Sequence, residues 1–231
     1  MDAALRDCKT AAGYFFWNLV NRVIVPVGLS KLEIDGAERL PAAGPFIVVA
    51  NHSSRWDGPV VQYLLNRRAN YMVSPNEMKG LQGAAVRSVG AFPANPRLDI
   101  IGHAIRQLEQ DEPVVVFPEG NVFYDDEVHR FKQGAAKIAL GAWERGLEVP
   151  VVPVAINYIR DGKIFSVRVA VGVPLENASR TLMVDEASTG SCERRALIAS
   201  LTRLMQSSVV ALRNSRMTLI ERVSSGSALV A

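Results

Sequence analysis

The chain has 231 residues, enough for one domain with a substantial core, and 26 Lys and Arg against 23 Asp and Glu give a net charge of +3. Hydrophobic residues make up 48% and charged residues 21%, which excludes disordered, coiled-coil and collagen-like chains. This small positive excess does not favour nucleic acid as a partner, but it suits a protein that meets anionic lipid or phosphorylated compounds. The distant Cys8 and Cys192 predict reduced thiols in a cytosolic setting, with neither a disulfide nor a metal site.

The N-terminal segment, residues 1–30, is predicted to contain an amphipathic helix over residues 14–29. Its polar side carries Asn18, Asn21 and Arg22, and its apolar side is formed by Phe15, Phe16, Leu19, Val20, Val23 and Val27. A spanning helix needs about 20 apolar residues, and this run is shorter and more polar. It also lacks the cleavage site of a signal peptide. We expect a helix that lies in a membrane interface, with ordinary packing on the core as the alternative.

Strands and helices alternate along the remainder of the chain. The hydrophobic patterns predict strands at 31–35, 45–50, 70–74, 113–117, 151–156 and 165–171, and helices at 60–65, 77–89, 100–108, 133–144 and 192–213. Such alternation predicts an α/β fold with a largely parallel central sheet covered by helices on both faces. No linker divides residues 31–215, which we expect to be one domain, followed by a loose tail at 216–231.

A histidine and an aspartate follow the buried strand at 45–50. His52 comes just after this strand and Asp57 five residues later, a spacing that would separate the side chains by about 140° on a continuous helix. They can pair only if a loop enters the helix between them. A paired carboxylate would fix the imidazole tautomer and leave the second ring nitrogen as a base. Because no GxSxG elbow is present, the pair is expected to activate a substrate hydroxyl, unless it serves as a structural cap.

The strand at 113–117 also ends in polar residues, Glu119, Gly120 and Asn121. Taken alone, they indicate only a turn with an exposed carboxylate.

Five blocks in this order resemble the glycerolipid acyltransferase family, which contains the lysophosphatidic acid and glycerol-3-phosphate acyltransferases. The resemblance covers residues 32–174. Its blocks are His52 and Asp57 after Asn51, residues 90–92 with Arg97, residues 117–120, residues 131–135, and residues 152–154.

The resemblance implies transfer of a fatty acyl chain from acyl-CoA or acyl carrier protein to the hydroxyl of lysophosphatidic acid, for phospholipid synthesis. His52 would be the base and Asp57 would hold its ring, with no acyl-enzyme and no cofactor beyond the thioester co-substrate. Arg97 would pair with the acceptor phosphate. Glu119 and Gly120 would shape the glycerol pocket, with Glu119 accepting from a hydroxyl or orienting Arg97. The implied location is the cytoplasmic face of a phospholipid membrane.

Two departures from the family pattern affect the acceptor side. Asn121, Val122 and Phe123 stand where the family has a hydroxyl residue and an arginine, so Arg130 or Lys132 would have to supply the charge. The spacing from Gly90 to Arg97 is one residue longer than usual. Glycerol-3-phosphate or another lysophospholipid therefore stays open as the acceptor. A thioesterase or lipase, or a non-catalytic lipid-binding protein, stays open as the function.

Overall fold

The computed structural model of this chain describes residue 5 and residues 7–125, 127–161, 164–175 and 191–226. In this part of the chain the strands are β1 (Lys31–Asp35), β2 (Ile47–Ala50), β3 (Asn70–Val73), β4 (Ala91–Pro93), β5 (Val114–Val116), β6 (Val151–Asp161) and β7 (Ile164–Val171). The helices are α1 (Ala11–Gly28), α2 (Asp57–Leu65), α3 (Gly80–Ser88), α4 (Ile100–Leu108), α5 (Gly134–Trp143) and α6 (Ser191–Gly226).

The strands form one sheet in the order β1-β7-β6-β2-β5-β3-β4. β2, β3, β4, β5 and β6 run parallel to one another, whereas β7 is antiparallel to β6 and parallel to β1. The predicted largely parallel sheet is therefore confirmed. β2 and β5 lie at its centre as fully buried runs, because the crossover helices of a parallel sheet cover both of its faces.

Alternate residues of the central strands pack into two separate cores. Ile47 and Val49 of β2 contact α4, α5 and α6 on one face, and Val48 and Ala50 contact α1 and α2 on the other. This is the period of two expected for a strand buried on both faces. Helices on both faces of the sheet are therefore confirmed.

Two elements differ from the sequence prediction. β4 was not predicted, because three residues are too few for an alternating pattern; it is held by parallel pairing with β3. Gly90 leads into it at φ 97°, and a Cβ there would overlap the Ala69 carbonyl. α6 continues to Gly226 through a stretch without Gly or Pro, beyond the start of the predicted loose tail at 216. Residues 227–231 of that tail, and residues 1–4 and 6 of the N-terminal segment, lie outside the described part.

α1 packs on α2 through its polar side. Asn21 is buried, and its Nδ2 donates to Gln62 Oε1 at 2.8 Å, while the Arg22 guanidinium lies 5.4 Å from the centre of the Tyr63 ring. The apolar side points away from the sheet and leaves six large side chains exposed: Phe15, Phe16, Leu19, Val23, Ile24 and Val27. Across the described residues, no helix combines the length and hydrophobicity required to traverse a bilayer.

Candidate active site

The loop that carries His52 is fixed at its start by Asn51. This fully buried side chain donates from Nδ2 to the Ile156 carbonyl and accepts from the Ile156 N–H through Oδ1, both at 2.8 Å. The amide therefore continues the hydrogen bonding between β2 and β6 one residue past Ala50. Because these two hydrogen bonds are to the backbone of a neighbouring strand, His52 leaves the sheet at a defined point.

Asp57 curls back from the first turn of α2 onto the same loop. Its carboxylate is fully buried, and Oδ2 accepts the backbone N–H groups of Ser53 and Ser54 at 2.8 and 2.9 Å. The same oxygen lies 2.8 Å from His52 Nδ1. The loop entering the helix therefore produces the pairing expected from the sequence. With the Nδ1 proton donated to the carboxylate, His52 Nε2 carries the free lone pair.

The second carboxylate oxygen of Asp57 is bound by Tyr158, a residue that the sequence did not single out. The Tyr158 hydroxyl, from β6, donates to Oδ1 at 2.6 Å. Burial, and then the negative charge of Asp57, raise the pKa of Tyr158 above its ordinary value, so the phenol stays protonated. The alternating pattern of β6 could have pointed to Tyr158, because Val154, Ile156 and Tyr158 are two residues apart and face the same core.

The His52 ring also stacks on Phe117, the residue that follows β5. The ring centroids are 4.4 Å apart and the planes are 21° from parallel. β5 is the direct neighbour of β2, so the carboxyl ends of two adjacent parallel strands together hold the imidazole. About a fifth of the His52 side chain remains exposed to solvent.

Glu119, which also follows β5, contacts the loop that carries His52. It is buried, and Oε1 accepts the His52 backbone N–H at 3.1 Å, whereas Oε2 has no hydrogen-bond partner among the described residues. Burial raises the pKa of Glu119 above its ordinary value. Glu119 thus contacts the loop that carries His52. In the described part of the chain, no hydrogen bond or ion pair links it to Arg97.

Gly120 forms a tight turn beside a lysine. Its φ of 68° is in the left-handed region, and a Cβ there would overlap the Lys132 side chain. Lys132 is held by its own N–H, which donates to the Pro118 carbonyl at 2.8 Å. A cation therefore lies directly next to the turn that carries Glu119.

Lys132 lines a cleft of about 810 Å³ between the first turns of α4 and α5. Its walls combine apolar side chains, including Leu98, Ile101 and Phe131, with the cations of Arg130, Lys132 and Lys137, and none of the described lining residues is acidic. The N-terminal ends of both helices add positive potential. A cleft of this size and composition suits a ligand with an anionic group and an apolar part.

The remaining predicted residues are at the surface. Arg97 is exposed in the loop between β4 and α4, where its backbone N–H donates to Asn95 Oδ1 at 3.0 Å. Its neighbours Pro96 and Leu98 line the cleft, so Arg97 is on the same side of the molecule. Asn121 is exposed after Gly120. The structure thus brings together His52, Asp57 and Glu119, and Lys132 with Gly120, but not Arg97 or Asn121.

The arrangement offers a candidate base, and no serine hydroxyl is hydrogen-bonded to His52 among the described residues. Ser53 Oγ accepts from Asn51 Nδ2 at 3.1 Å, and Ser54 Oγ accepts the Trp56 N–H at 3.2 Å. Within the ranges that the structure describes, no three His, Cys, Asp or Glu side chains are grouped to hold a metal ion. An imidazole held in this way can act as a general base on the hydroxyl of a bound molecule or on water.

Comparisons with known proteins agree with this geometry. A family model described as Acyltransferase matches residues 31–157, more than half of the chain. 1-acyl-sn-glycerol-3-phosphate acyltransferase alpha from Homo sapiens is 27% identical over 139 residues, 57% of this chain and 47% of that protein. Taffazin from Dictyostelium discoideum is 27% identical over 160 residues, 59% of this chain and 53% of that protein. The chain therefore spans about half the length of the curated relatives it matches.

The fold has a counterpart among solved structures. The crystal structure of PlsC, the 1-acyl-sn-glycerophosphate (LPA) acyltransferase from Thermotoga maritima, superposes with a TM-score of 0.58 at 21% identity, covering 84% of this chain and 78% of that chain. At this identity the similarity concerns the fold. With the family model matching from β1 into β6, across the strand ends that hold His52 and Glu119, the chain belongs to the Acyltransferase family.

Proposed function

We propose that this protein transfers a fatty acyl group from a thioester, acyl-CoA or acyl carrier protein, to the hydroxyl of lysophosphatidic acid. The observation that carries the proposal is the 2.8 Å contact between His52 Nδ1 and the buried Asp57, which leaves Nε2 as a base. The names of the relatives, 1-acyl-sn-glycerol-3-phosphate acyltransferases, support the choice of acceptor.

The reaction needs two proton transfers, to and from His52, and one bond exchange. His52 Nε2 takes the proton of the acceptor hydroxyl while its oxygen attacks the thioester carbonyl. The C–S bond then breaks, and the leaving thiolate takes the proton back from the imidazolium. Asp57 stabilises the imidazolium between these two steps. Base catalysis of this kind contributes about 10²–10⁴-fold, and the alignment of the two substrates supplies further acceleration.

The acceptor phosphate is assigned to the basic side of the cleft. Lys132 lies beside Gly120 and next to the Glu119 turn, and Arg130 lines the same cleft. These cations stand in for the arginine that the family pattern places after the glycine. Arg97, in the neighbouring loop, is the third proposed ligand, and Asn121, exposed after Gly120, is the fourth.

Lys132→Gln is expected to raise the KM for lysophosphatidic acid about tenfold and to leave the KM for the acyl thioester unchanged, because the phosphate loses a charge-assisted contact. Steady-state kinetics with each substrate varied in turn measure both constants. Lys31→Gln is the matched control, since Lys31 is exposed on the edge strand β1 and pairs with Glu33. Equal KM values for wild type and Lys132→Gln would remove Lys132 from the acceptor site.

We further propose that α1 binds the cytoplasmic face of a membrane through its apolar side. Val27 near its end is 81% exposed, and Gly28 lies against the Trp56 ring, one residue before Asp57. The exposed apolar side of α1 therefore ends close to the His52–Asp57 pair. Lysophospholipids dissolve in the bilayer, so this arrangement brings the acceptor to the base.

The triple variant Phe16→Gln, Leu19→Gln, Val23→Gln is expected to bind vesicles containing phosphatidic acid about 10–100-fold more weakly, because three apolar side chains no longer enter the interface. Co-sedimentation with the vesicles measures the binding. Leu19→Gln and Leu204→Gln form a matched pair, since Leu204 is exposed on α6 at the opposite face of the sheet. If both single variants lose the same affinity, α1 is not the docking surface.

An acceptor panel tests the proposed function. Purified protein receives labelled acyl-CoA or acyl carrier protein with glycerol-3-phosphate, lysophosphatidic acid or lysophosphatidylcholine, and the label is followed into lipid. Label in phosphatidic acid is expected. Label only with another acceptor would change the substrate, thioester cleavage alone would indicate a hydrolase, and no reaction would indicate a lipid-binding protein.

A further inference from the structure

Tyr158 contacts the catalytic carboxylate from a strand that the proposed chemistry does not otherwise use. We propose that Tyr158 is a positioning residue, whose hydroxyl holds Asp57 so that Oδ2 faces His52 Nδ1. The proposal rests on the proposed function, because it concerns the orientation of the same base. It assigns a role in the site to β6.

The two oxygens of Asp57 have different partners. Oδ2 accepts from Ser53, Ser54 and His52, and Oδ1 accepts from Tyr158 at 2.6 Å. The carboxylate is fully buried, so water does not replace a missing donor on Oδ1. Without the hydroxyl, rotation of the carboxylate would distribute the three remaining donors over both oxygens. The contact to His52 would then lose its fixed direction.

The position of Tyr158 on the sheet makes it a rigid support. β6 pairs with β2 in parallel, with Ala50 opposite Val154, and Tyr158 follows four residues later on the same face of the strand. β7 pairs with β6 on its other side, with Val167 opposite Tyr158. Pairing with β2 up to Val154 and with β7 at Tyr158 itself therefore sets where the phenol lies. Its raised pKa, caused by burial and by the charge of Asp57, keeps the hydroxyl proton available for donation.

Two ionisable side chains contact the Asp57 carboxylate in the described part of the chain. His52 approaches from the loop after β2 and Tyr158 from β6. Glu119, after β5, reaches the His52 backbone, and its raised pKa reflects burial. Loss of the Tyr158 donor leaves more negative charge on Asp57. The His52–Asp57 pair then binds a proton more tightly, and the base remains occupied up to a higher pH.

Tyr158→Phe is expected to lower kcat about tenfold at the pH optimum, with the KM of both substrates unchanged, since a hydrogen bond to a charged group is lost. The acid limb of the pH profile of kcat/KM is expected to move to higher pH by about 0.5–1 unit. A role limited to packing would not move that limb.

Tyr71→Phe is the matched control. Tyr71 is buried in the same core, and its hydroxyl has no hydrogen-bond partner among the described residues. It should retain the kcat and the pH profile of the wild type. All proteins are assayed at a temperature at which circular dichroism shows them fully folded, and the NMR resonance of the His52 Nδ1 proton is recorded at low temperature.

An unchanged kcat, pH profile and Nδ1 resonance in Tyr158→Phe would overturn the positioning role. A lower kcat with an unmoved acid limb and resonance would also overturn it, because that result describes packing alone. A wild type without transfer activity would instead refute the proposed function. In that case the Nδ1 resonance still reports whether Tyr158 acts on the His52–Asp57 pair.

Discussion

His52→Gln is expected to reduce acyl transfer by about 10²–10⁴-fold, because the amide side chain cannot take the proton of the acceptor hydroxyl. About a fifth of the His52 side chain is exposed, and its backbone contacts to Glu119 and Phe123 do not depend on the imidazole. The variant should therefore keep the fold. Turnover of labelled thioester, with circular dichroism on the same sample, measures both properties.

His103→Gln is the matched control for this substitution. His103 is buried on α4 beside Phe92, and burial lowers its pKa, so the neutral side chain is the favoured form there. A neutral glutamine preserves that charge state, and turnover should stay near the wild-type value. Near-normal turnover of His52→Gln would refute the assignment of His52 as the base.

Asp57→Asn is expected to lower kcat by about 10²–10⁴-fold with the fold preserved, because a neutral amide no longer stabilises the imidazolium. The amide oxygen can still accept from Ser53 and Ser54, while the amide nitrogen can donate to the Tyr158 hydroxyl. Asp57→Ala differs, since it leaves the part-buried backbone N–H groups of Ser53 and Ser54 without their acceptor. We expect it to lower the free energy of unfolding by about 2–5 kcal/mol.

Asp99→Asn is the matched control for Asp57→Asn. It shows whether the lower kcat comes from losing the charge beside His52 or from any replacement of Asp by Asn. Asp99 accepts the Gly102 N–H at 2.9 Å at the start of α4, and asparagine caps a helix about as well as aspartate. Its free energy of unfolding, measured by denaturant titration, and its kcat, measured by steady-state kinetics, should stay near the wild-type values. If Asp57→Asn also retained normal kcat, the carboxylate would have no part in the reaction.

The sheet was predictable because the hydrophobic pattern of each central strand is enough to identify that strand. The apolar runs in β2 and β5 cover all residues of these strands, as burial on both faces requires. β4 was not predictable in this way, since its three residues owe their conformation to pairing with β3. The reversed direction of β7 likewise depends on pairing with β6 rather than on local pattern.

The site was predictable where its residues are close in sequence. His52 and Asp57 are five residues apart, and a loop entering a helix was enough to pair them. The contacts of Asp57 with Tyr158 and of His52 with Glu119 join separate strand ends, so they require the sheet order. The cleft with Lys132 depends in the same way on the packing of α4 beside α5.

The side of α1 that faces the protein could not be predicted from the sequence of the helix. The amphipathic pattern allowed either packing on the core or a membrane interface, and apolar residues usually face the core. Here Asn21 and Gln62 form a buried polar contact between α1 and α2, and Phe15, which is 70% exposed, points away from them. A polar contact between two helices cannot be recognised from the hydrophobic periodicity of either helix alone.

The central claim is that the His52–Asp57 pair activates an acceptor hydroxyl rather than water. Simultaneous measurement of thiol release and ester formation from acyl-CoA, with lysophosphatidic acid varied from zero, tests it most directly. We expect one ester for each thiol released, and a rate that falls to background without acceptor and in His52→Gln. Thiol release that is equally fast without lysophosphatidic acid would contradict it.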